Sequence, residues 1–233
     1  MKTHIPNALT ALNLVFGCFS IIDALQGNLT EASLWIGGAA ILDFFDGFVA
    51  RLLKVGSELG KQLDSLADVV SFGVAPGMIC YAMVGQCIGK GFCINKYLPF
   101  LIPAFSAVRL AKFNIDTRQS DSFIGLPTPA NALFIASIPF IIQHNSLGIG
   151  WLFEHRYFLI FFPLLSAYLL VAELPLLALK FKHFKWIGNQ FRYILILTSI
   201  LSVIFFQYLG VALAIVFYVL LSVLQQMIQP KRI

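Results

Sequence analysis

Charge is what this chain has least of. Only 12% of its 233 residues are Asp, Glu, Lys or Arg, against roughly 25% in a soluble domain. With 59% of residues hydrophobic, a soluble protein of this size could not hide its apolar surface, and no stretch reads as a soluble domain. The weak alternation that marks a transmembrane β-barrel is also missing. Cysteine is limited to Cys18, Cys80, Cys87 and Cys93, without metal-ligand spacing. Cys18 and Cys80 fall inside apolar runs as packing residues. Cys87 and Cys93 share a loop, where they pair if it faces an oxidising space. No small-residue cleavage site follows the first apolar run, so it reads as a retained helix and not a signal peptide. No internal repeat is visible.

What is present is a series of long apolar runs near 5–24, 32–53, 64–85, 97–115, 127–147, 157–179, 191–208 and 210–228. Each is long enough, at about 18 residues or more, to cross a bilayer. The last two are separated only by Tyr208, Leu209 and Gly210, which predicts a hairpin. The fold class is all-α: a polytopic membrane bundle of about eight transmembrane helices. A catalytic core of about six helices occupies 1–180, and a C-terminal hairpin follows at 181–233. Pro6 sits at the start of the first run and Pro127 and Pro129 open the fifth, where a missing N–H is harmless. Pro76 and Pro175 fall inside the third and sixth runs and predict kinks.

The net charge of +5 does not point to nucleic acid. In a membrane protein Lys and Arg report orientation and contact with anionic headgroups. With a cytoplasmic N-terminus and eight spans, only Lys90, Lys96 and Arg156 of the 16 basic residues fall on the far side. That bias predicts both termini in the cytoplasm, and places the loop after the second run there too.

Four of the few acidic residues crowd around that loop. Asp43 and Asp46 are three apart and share a helix face, which Gly47 and Ala50 continue and Arg51 borders. Gly60, Asp64 and Asp68, each four apart, line one stripe of the next helix, with Ser57 a turn earlier. Carboxylates in a membrane segment are costly and mark a functional site. Four in one cleft would repel, and divalent cations resolve the conflict; hard oxygen ligands suit Mg²⁺ or Mn²⁺. Two such ions can clamp a pyrophosphate. The alternatives are a structural network with Arg51, Lys54 and Lys61, or the ion path of a cation-coupled transporter. Concentration of the aspartates on two neighbouring helices, with glycines at ligand-facing positions, favours a bound group.

The full register, from Asp43 through Asp46-Gly47, Ala50-Arg51, Gly60 and Asp64 to Asp68, resembles the signature of the CDP-alcohol phosphotransferase family at every fixed position. SELGKQLDSLADVVSFGVAPG at 57–77, PNALTALNLVFG at 6–17, RLAKFN at 109–114 and GLPTPA at 125–130 are similar to its phosphatidylserine synthase branch. The likeness covers roughly residues 5–180. It implies displacement of CMP from CDP-diacylglycerol by the hydroxyl of L-serine, by direct attack. It implies two metal ions, Mg²⁺ or Mn²⁺, held by Asp43, Asp46, Asp64 and Asp68, with Asp68 also the base. Gly47, Arg51, Ser57 and Gly60, with Asn7, Thr10 and Asn13 of the first helix, are implied CDP-lipid contacts; Asn7 is read equally as a helix cap beside Pro6.

Serine needs a cation for its carboxylate and an acceptor for its ammonium group. Lys61, Arg109, Lys112, Asn114 and Arg118 are the candidates, read equally as topology charges. In place of the branch's basic, serine-containing stretch this chain has VAELPLLALKFK at 171–182, and Glu173 there weighs against serine. The same chemistry with glycerol 3-phosphate or an inositol phosphate is the alternative and calls for a denser basic pocket. The resemblance further implies a homodimer; hydropathy and charge bias predict an integral membrane location, the inner membrane if the source is bacterial, with the active site facing the cytoplasm.

Overall fold

The computed structural model describes residues 4–88, 94–116, 122–177, 186 and 189–228. Helices α1 (His4–Gln26) and α2 (Leu29–Leu52) form an antiparallel pair joined by a tight turn at Gly27 and Asn28. α3 (Glu58–Asp68), a π-helical stretch (Val69–Val74) and α4 (Ala75–Ile88) follow as one continuous rod, buried over most of residues 67–84. A 3₁₀ turn (Ile94–Phe100) leads into α5 (Leu101–Ile115). Then come β1 (Ser122–Ile124), α6 (Thr128–Gln143), a 3₁₀ turn (Ser146–Gly148), α7 (Gly150–Glu154), α8 (Arg156–Val171), β2 (Pro175–Leu177) and α9 (Gln190–Ile228).

Five helical stretches are long and apolar enough to cross a membrane, and α6 and α8 are shorter apolar helices. One of the five, α9, is broken at Gln207 (φ 50°, ψ −118°). Beyond the break Gly210 lies directly against the Ser202 backbone, so the chain doubles back. All eight apolar runs therefore correspond to helical segments, and the protein is an all-α integral membrane protein. The reversal falls at Gln207, just before the predicted Tyr208–Gly210.

Side-chain size decides how these helices approach. α1 turns Pro6, Thr10, Asn13, Gly17, Ser20 and Ala24 inward at intervals of three and four, the spacing of one helix face. Leu12, Val15, Phe19 and Ile22 face outward, exposed. Small inward residues let backbones close up where no hydrophobic drive separates protein from lipid. A Cβ on Gly17 would lie 2.8 Å from the Ser71 Cα. Ser71 Oγ donates to the Asn13 carbonyl at 2.9 Å, and Ser20 Oγ to the Ala32 carbonyl at 2.8 Å. The π-helical stretch is thereby locked to α1. Around it Ile36, Phe72, Ile79, Ile102, Ile135 and Ile138 are buried.

Five expectations need correction. The third run begins at Glu58, a turn and a half before the predicted 64, and the irregularity expected at Pro76 takes the form of π geometry upstream of it. Proline has no N–H to donate and crowds the carbonyl four residues back, Phe72, so wider turns relieve it. The sixth run ends as helix at Val171, not 179. Ala172 is extended (ψ 138°), and Pro175 opens β2, which pairs antiparallel with β1 (Ile124 opposite Pro175). Pro175 thus kinks no helix: it disfavours helical geometry in the preceding residue and sits in a two-stranded ribbon instead. Cys80 is buried as predicted, whereas Cys18 is exposed on the outward face of α1. The Cys87–Cys93 pairing lies outside the described residues.

Candidate active site

The site is built where α2 runs into α3. Leu53 to Ser57 make the turn, with Lys54 in the left-handed region (φ 51°). Ser57 caps α3, its Oγ accepting from the Gly60 N–H at 2.9 Å. With so short a connection the last turns of α2 and the first of α3 must face each other. Asp43, Asp64 and Asp68 each present a carboxylate oxygen within 4.8 Å of the others. At that separation like charges repel by about 3 kcal/mol per pair at an effective dielectric of 20. Asp68 is 8% exposed, and its Oδ1 has no hydrogen-bond partner. A buried oxygen left unpaired carries the full cost of its lost hydration. Three converging hard oxygens, with a buried and unpartnered acceptor among these carboxylates, fit a divalent cation, and these residues could hold one.

Asp46 stands apart from this triangle. Its Oδ2 accepts a 2.6 Å hydrogen bond from Thr10 Oγ1, although its charge still acts on Asp43, Asp64 and Asp68. Asp46 and Asp64 line a cleft of about 280 Å³ together with Asn7, Thr10, Gly47, Ser57, Gly60 and Lys61. No protein atom comes within 4 Å of a Cβ built on Gly47, so the missing side chain leaves room in the cleft. A Cβ on Gly60 would lie 3.1 Å from both Asn7 Oδ1 and Ser57 Oγ. Asn7 lies inside α1, which already runs from His4, so it is not the helix cap. Asn13 is fully buried a turn deeper, its amide oxygen and nitrogen without partners, and it does not line the cleft. Arg51 does not line it either: exposed in the last turn of α2, its Nε donates to the Gly47 carbonyl at 2.9 Å. The outer side of the same turns is aromatic, with Phe44, Phe45 and Phe48 exposed and Phe44 stacked on Phe48.

The residues predicted to meet serine divide into two groups, and Arg118 lies outside the described residues. Lys61 Nζ donates to the Asn114 carbonyl at 3.0 Å and Asn114 Nδ2 donates to Ser65 Oγ at 2.7 Å, tying α3 to the end of α5. Arg109, 7% exposed, donates from Nη1 to Thr128 Oγ1 at 3.3 Å, and its Nε has no partner. Its charge acts on Asp68. Arg109 and Lys112 line a second cavity of about 430 Å³ with Ile115, Asp116, Ile124, Leu170, Val171 and Glu173. Thr128 and Ser65 lay inside recognised motifs, but spacing along one helix gives no sign of a partner on another.

A family model for CDP-alcohol phosphatidyltransferase matches residues 3–179. The chain belongs to that family. Among its relatives, a CDP-diacylglycerol–serine O-phosphatidyltransferase of Helicobacter pylori (strain ATCC 700392 / 26695) is 37% identical over 200 residues, covering 85% of this chain and 81% of that protein. One of the same name from Bacillus subtilis (strain 168) is 32% identical over 182 residues, covering 78% and 92%. An archaetidylserine synthase of Methanothermobacter thermautotrophicus is 36% identical over 137 residues, covering 57% and 56%. The stretch matched by the CDP-alcohol phosphatidyltransferase family takes in every residue of both cavities and stops short of α9.

Proposed function

We propose that this membrane protein transfers the phosphatidyl group of CDP-diacylglycerol to the hydroxyl of L-serine, giving phosphatidylserine and CMP. The observation that carries the reading is the convergence of Asp43, Asp64 and Asp68 beside a cleft that also holds Asp46. The names and coverage of the Helicobacter and Bacillus relatives favour serine over a phosphate-bearing acceptor.

In this reading the nucleotide and its two phosphates occupy the cleft, against Asn7, Thr10, Gly47, Ser57 and Gly60, with Asn13 behind them. Arg51, one exposed turn away, holds phosphate oxygens after releasing the Gly47 carbonyl, because a guanidinium fits them bidentately. Asp43, Asp46, Asp64 and Asp68 hold two divalent ions, Mg²⁺ or Mn²⁺. When bound, such ions draw charge from the pyrophosphate and make CMP a better leaving group. Asp68 takes the proton of the serine hydroxyl as its oxygen attacks the phosphatidyl phosphorus and the bond to CMP breaks. A hydroxyl of high pKa needs a positioned base at that moment. Attack is direct, as the resemblance implies, and the two cleft hydroxyls hold structural bonds: Thr10 Oγ1 donates to Asp46 and Ser57 Oγ accepts from the Gly60 N–H at the α3 cap. Arg109 and Lys112 take the serine carboxylate, while Lys61 and Asn114 hold α3 against α5.

The placement of Arg51, Lys54, Lys61, Arg109 and Lys112 at the aspartate end supports a cytoplasmic active site, with both termini on that side and, in a bacterium, an inner-membrane location. Residues 1–180 form the catalytic core and 181–233 the added hairpin. The family resemblance supports a homodimer. The test supplies purified protein in mixed micelles with CDP-diacylglycerol and, separately, serine, glycerol 3-phosphate or an inositol phosphate, and identifies the lipid formed. Phosphatidylserine with stoichiometric CMP is expected. A different lipid product, or cation flux across liposomes without CMP, overturns the reading.

A further inference from the structure

The second cavity is lined by charges of both signs, with Arg109 buried and Glu173 exposed. Arg109 and Lys112 come from α5, three residues apart and so on one side of that helix. Glu173 comes from the extended segment beyond α8, which is anchored on both sides. The Leu126 N–H donates to the Leu169 carbonyl at 2.8 Å and the Gly125 N–H to the Leu174 carbonyl at 3.0 Å. Gly125 has φ +77°, and a Cβ there would run into the Leu170 carbonyl, so only glycine allows the segments to close. The backbone position of Glu173 is therefore fixed by main-chain bonds. Its carboxylate takes no hydrogen bond or ion pair among the described residues, whereas Asp116, also on the cavity wall, already has an interaction partner.

We propose that Glu173 receives the α-ammonium group of the amino-acid acceptor, opposite the Arg109 and Lys112 that take its α-carboxylate, and so selects an α-amino acid over phosphate-bearing alcohols. Two cations and two carboxylates leave the cavity walls near neutrality, which suits a zwitterion. A phosphate seated on Arg109 and Lys112 would instead face Glu173, an added repulsion that discriminates against it. Arg109, whose charge also acts on Asp68, joins this cavity to the carboxylate cluster. The residue that weighs against serine in the sequence becomes its second handle. The inference rests on the serine reading above.

The full-length protein and its E173Q and E173D variants are compared in CDP-diacylglycerol mixed micelles. The acceptors are L-serine and 3-hydroxypropanoate, which keeps the hydroxyl and carboxylate but lacks the ammonium group. Losing one charge-assisted hydrogen bond predicts a serine KM raised about tenfold or more in E173Q. The KM for CDP-diacylglycerol stays put, the preference for serine over 3-hydroxypropanoate falls by the same factor, and E173D recovers part of it. An unchanged serine KM and preference in E173Q, with wild-type protein making phosphatidylserine, overturns the role of Glu173 alone. So does an equal rise in KM for both substrates, in E173Q or in E173D, which marks a structural role. Wild-type protein that makes no phosphatidylserine overturns the serine reading itself, a result seen before any variant is tested.

Discussion

Thr10, two turns into the first helix, donates a 2.6 Å hydrogen bond to Oδ2 of Asp46, 36 residues further on. The acceptor is a carboxylate on the wall of the cleft, and the bond fixes both its rotamer and the seat of α1 against α2. A hydrogen bond to a charged group contributes about 1.5–3 kcal/mol. Thr10→Val should therefore lower kcat/KM for CDP-diacylglycerol by about 10- to 100-fold, while Thr10→Ser, which keeps the hydroxyl, retains most of it. CMP release at varied lipid-substrate fraction is the measurement, and equal activity in the Val and Ser variants would detach Thr10 from the site.

Asp68 is the most deeply buried of the three converging carboxylates, and one of its oxygens is unpartnered. Asp68→Asn keeps the shape and removes the base. General-base catalysis contributes about 10²- to 10⁴-fold, so turnover should fall by at least that much, while much of the metal-dependent CDP binding, read by calorimetry, survives. Full activity in this variant would remove Asp68 from the mechanism.

The same triangle predicts a response to chelation. With no divalent cation, Asp43, Asp64 and Asp68 face one another at close range, and the charge of Arg109 acts on Asp68 alone of the three. EDTA should abolish CMP release and lower the unfolding temperature, and Mg²⁺ or Mn²⁺ should restore both, because a ligand that binds only the folded state stabilises it. Asp43→Asn and Asp64→Asn should each raise the metal concentration needed for half-maximal restoration.

Gly17 and Gly37 give opposite outcomes when a side chain is added. A Cβ on Gly17 meets the Ser71 backbone at 2.8 Å; one on Gly37 meets nothing within 4 Å. Gly17→Val should destabilise by about 1–3 kcal/mol through overpacking and cut activity, because the π-helical stretch that follows Asp68 is displaced. Gly37→Ala should be neutral or mildly stabilising. Thermal unfolding in detergent micelles separates the two.

The convergence of Asp43, Asp64 and Asp68 was legible in the sequence, and the reason is geometric. Spacings of three and four put each pair on one face, and a connection of a few residues leaves two helices little freedom but to face each other. The partner of Asp46 was not legible, because Thr10 reaches it across 36 residues and only packing of α1 brings them together. Arg51 was assigned to phosphate through the resemblance; that its Nε donates to the Gly47 carbonyl of its own helix was not legible, because spacing does not report a rotamer. The sixth run was drawn too long because LPLL at 174–177 is as apolar in a strand as in a helix, and hydropathy is blind to the difference; Pro175 was the available clue. The charge balance of the second cavity needed Arg109 and Glu173, distant in sequence, and Glu173 alone looked like a mismatch.

Phe44, Phe45 and Phe48 cover the outer flank of the turns that carry Asp43 and Asp46. An aromatic wall beside an acidic cleft lets a two-tailed molecule keep its tails in oil while its head enters the protein. Encounter then takes place within a sheet of fluid, by lateral drift. Turnover follows how crowded that sheet is with donor, and diluting it with inert lipid slows the protein even when the amount per millilitre is held constant.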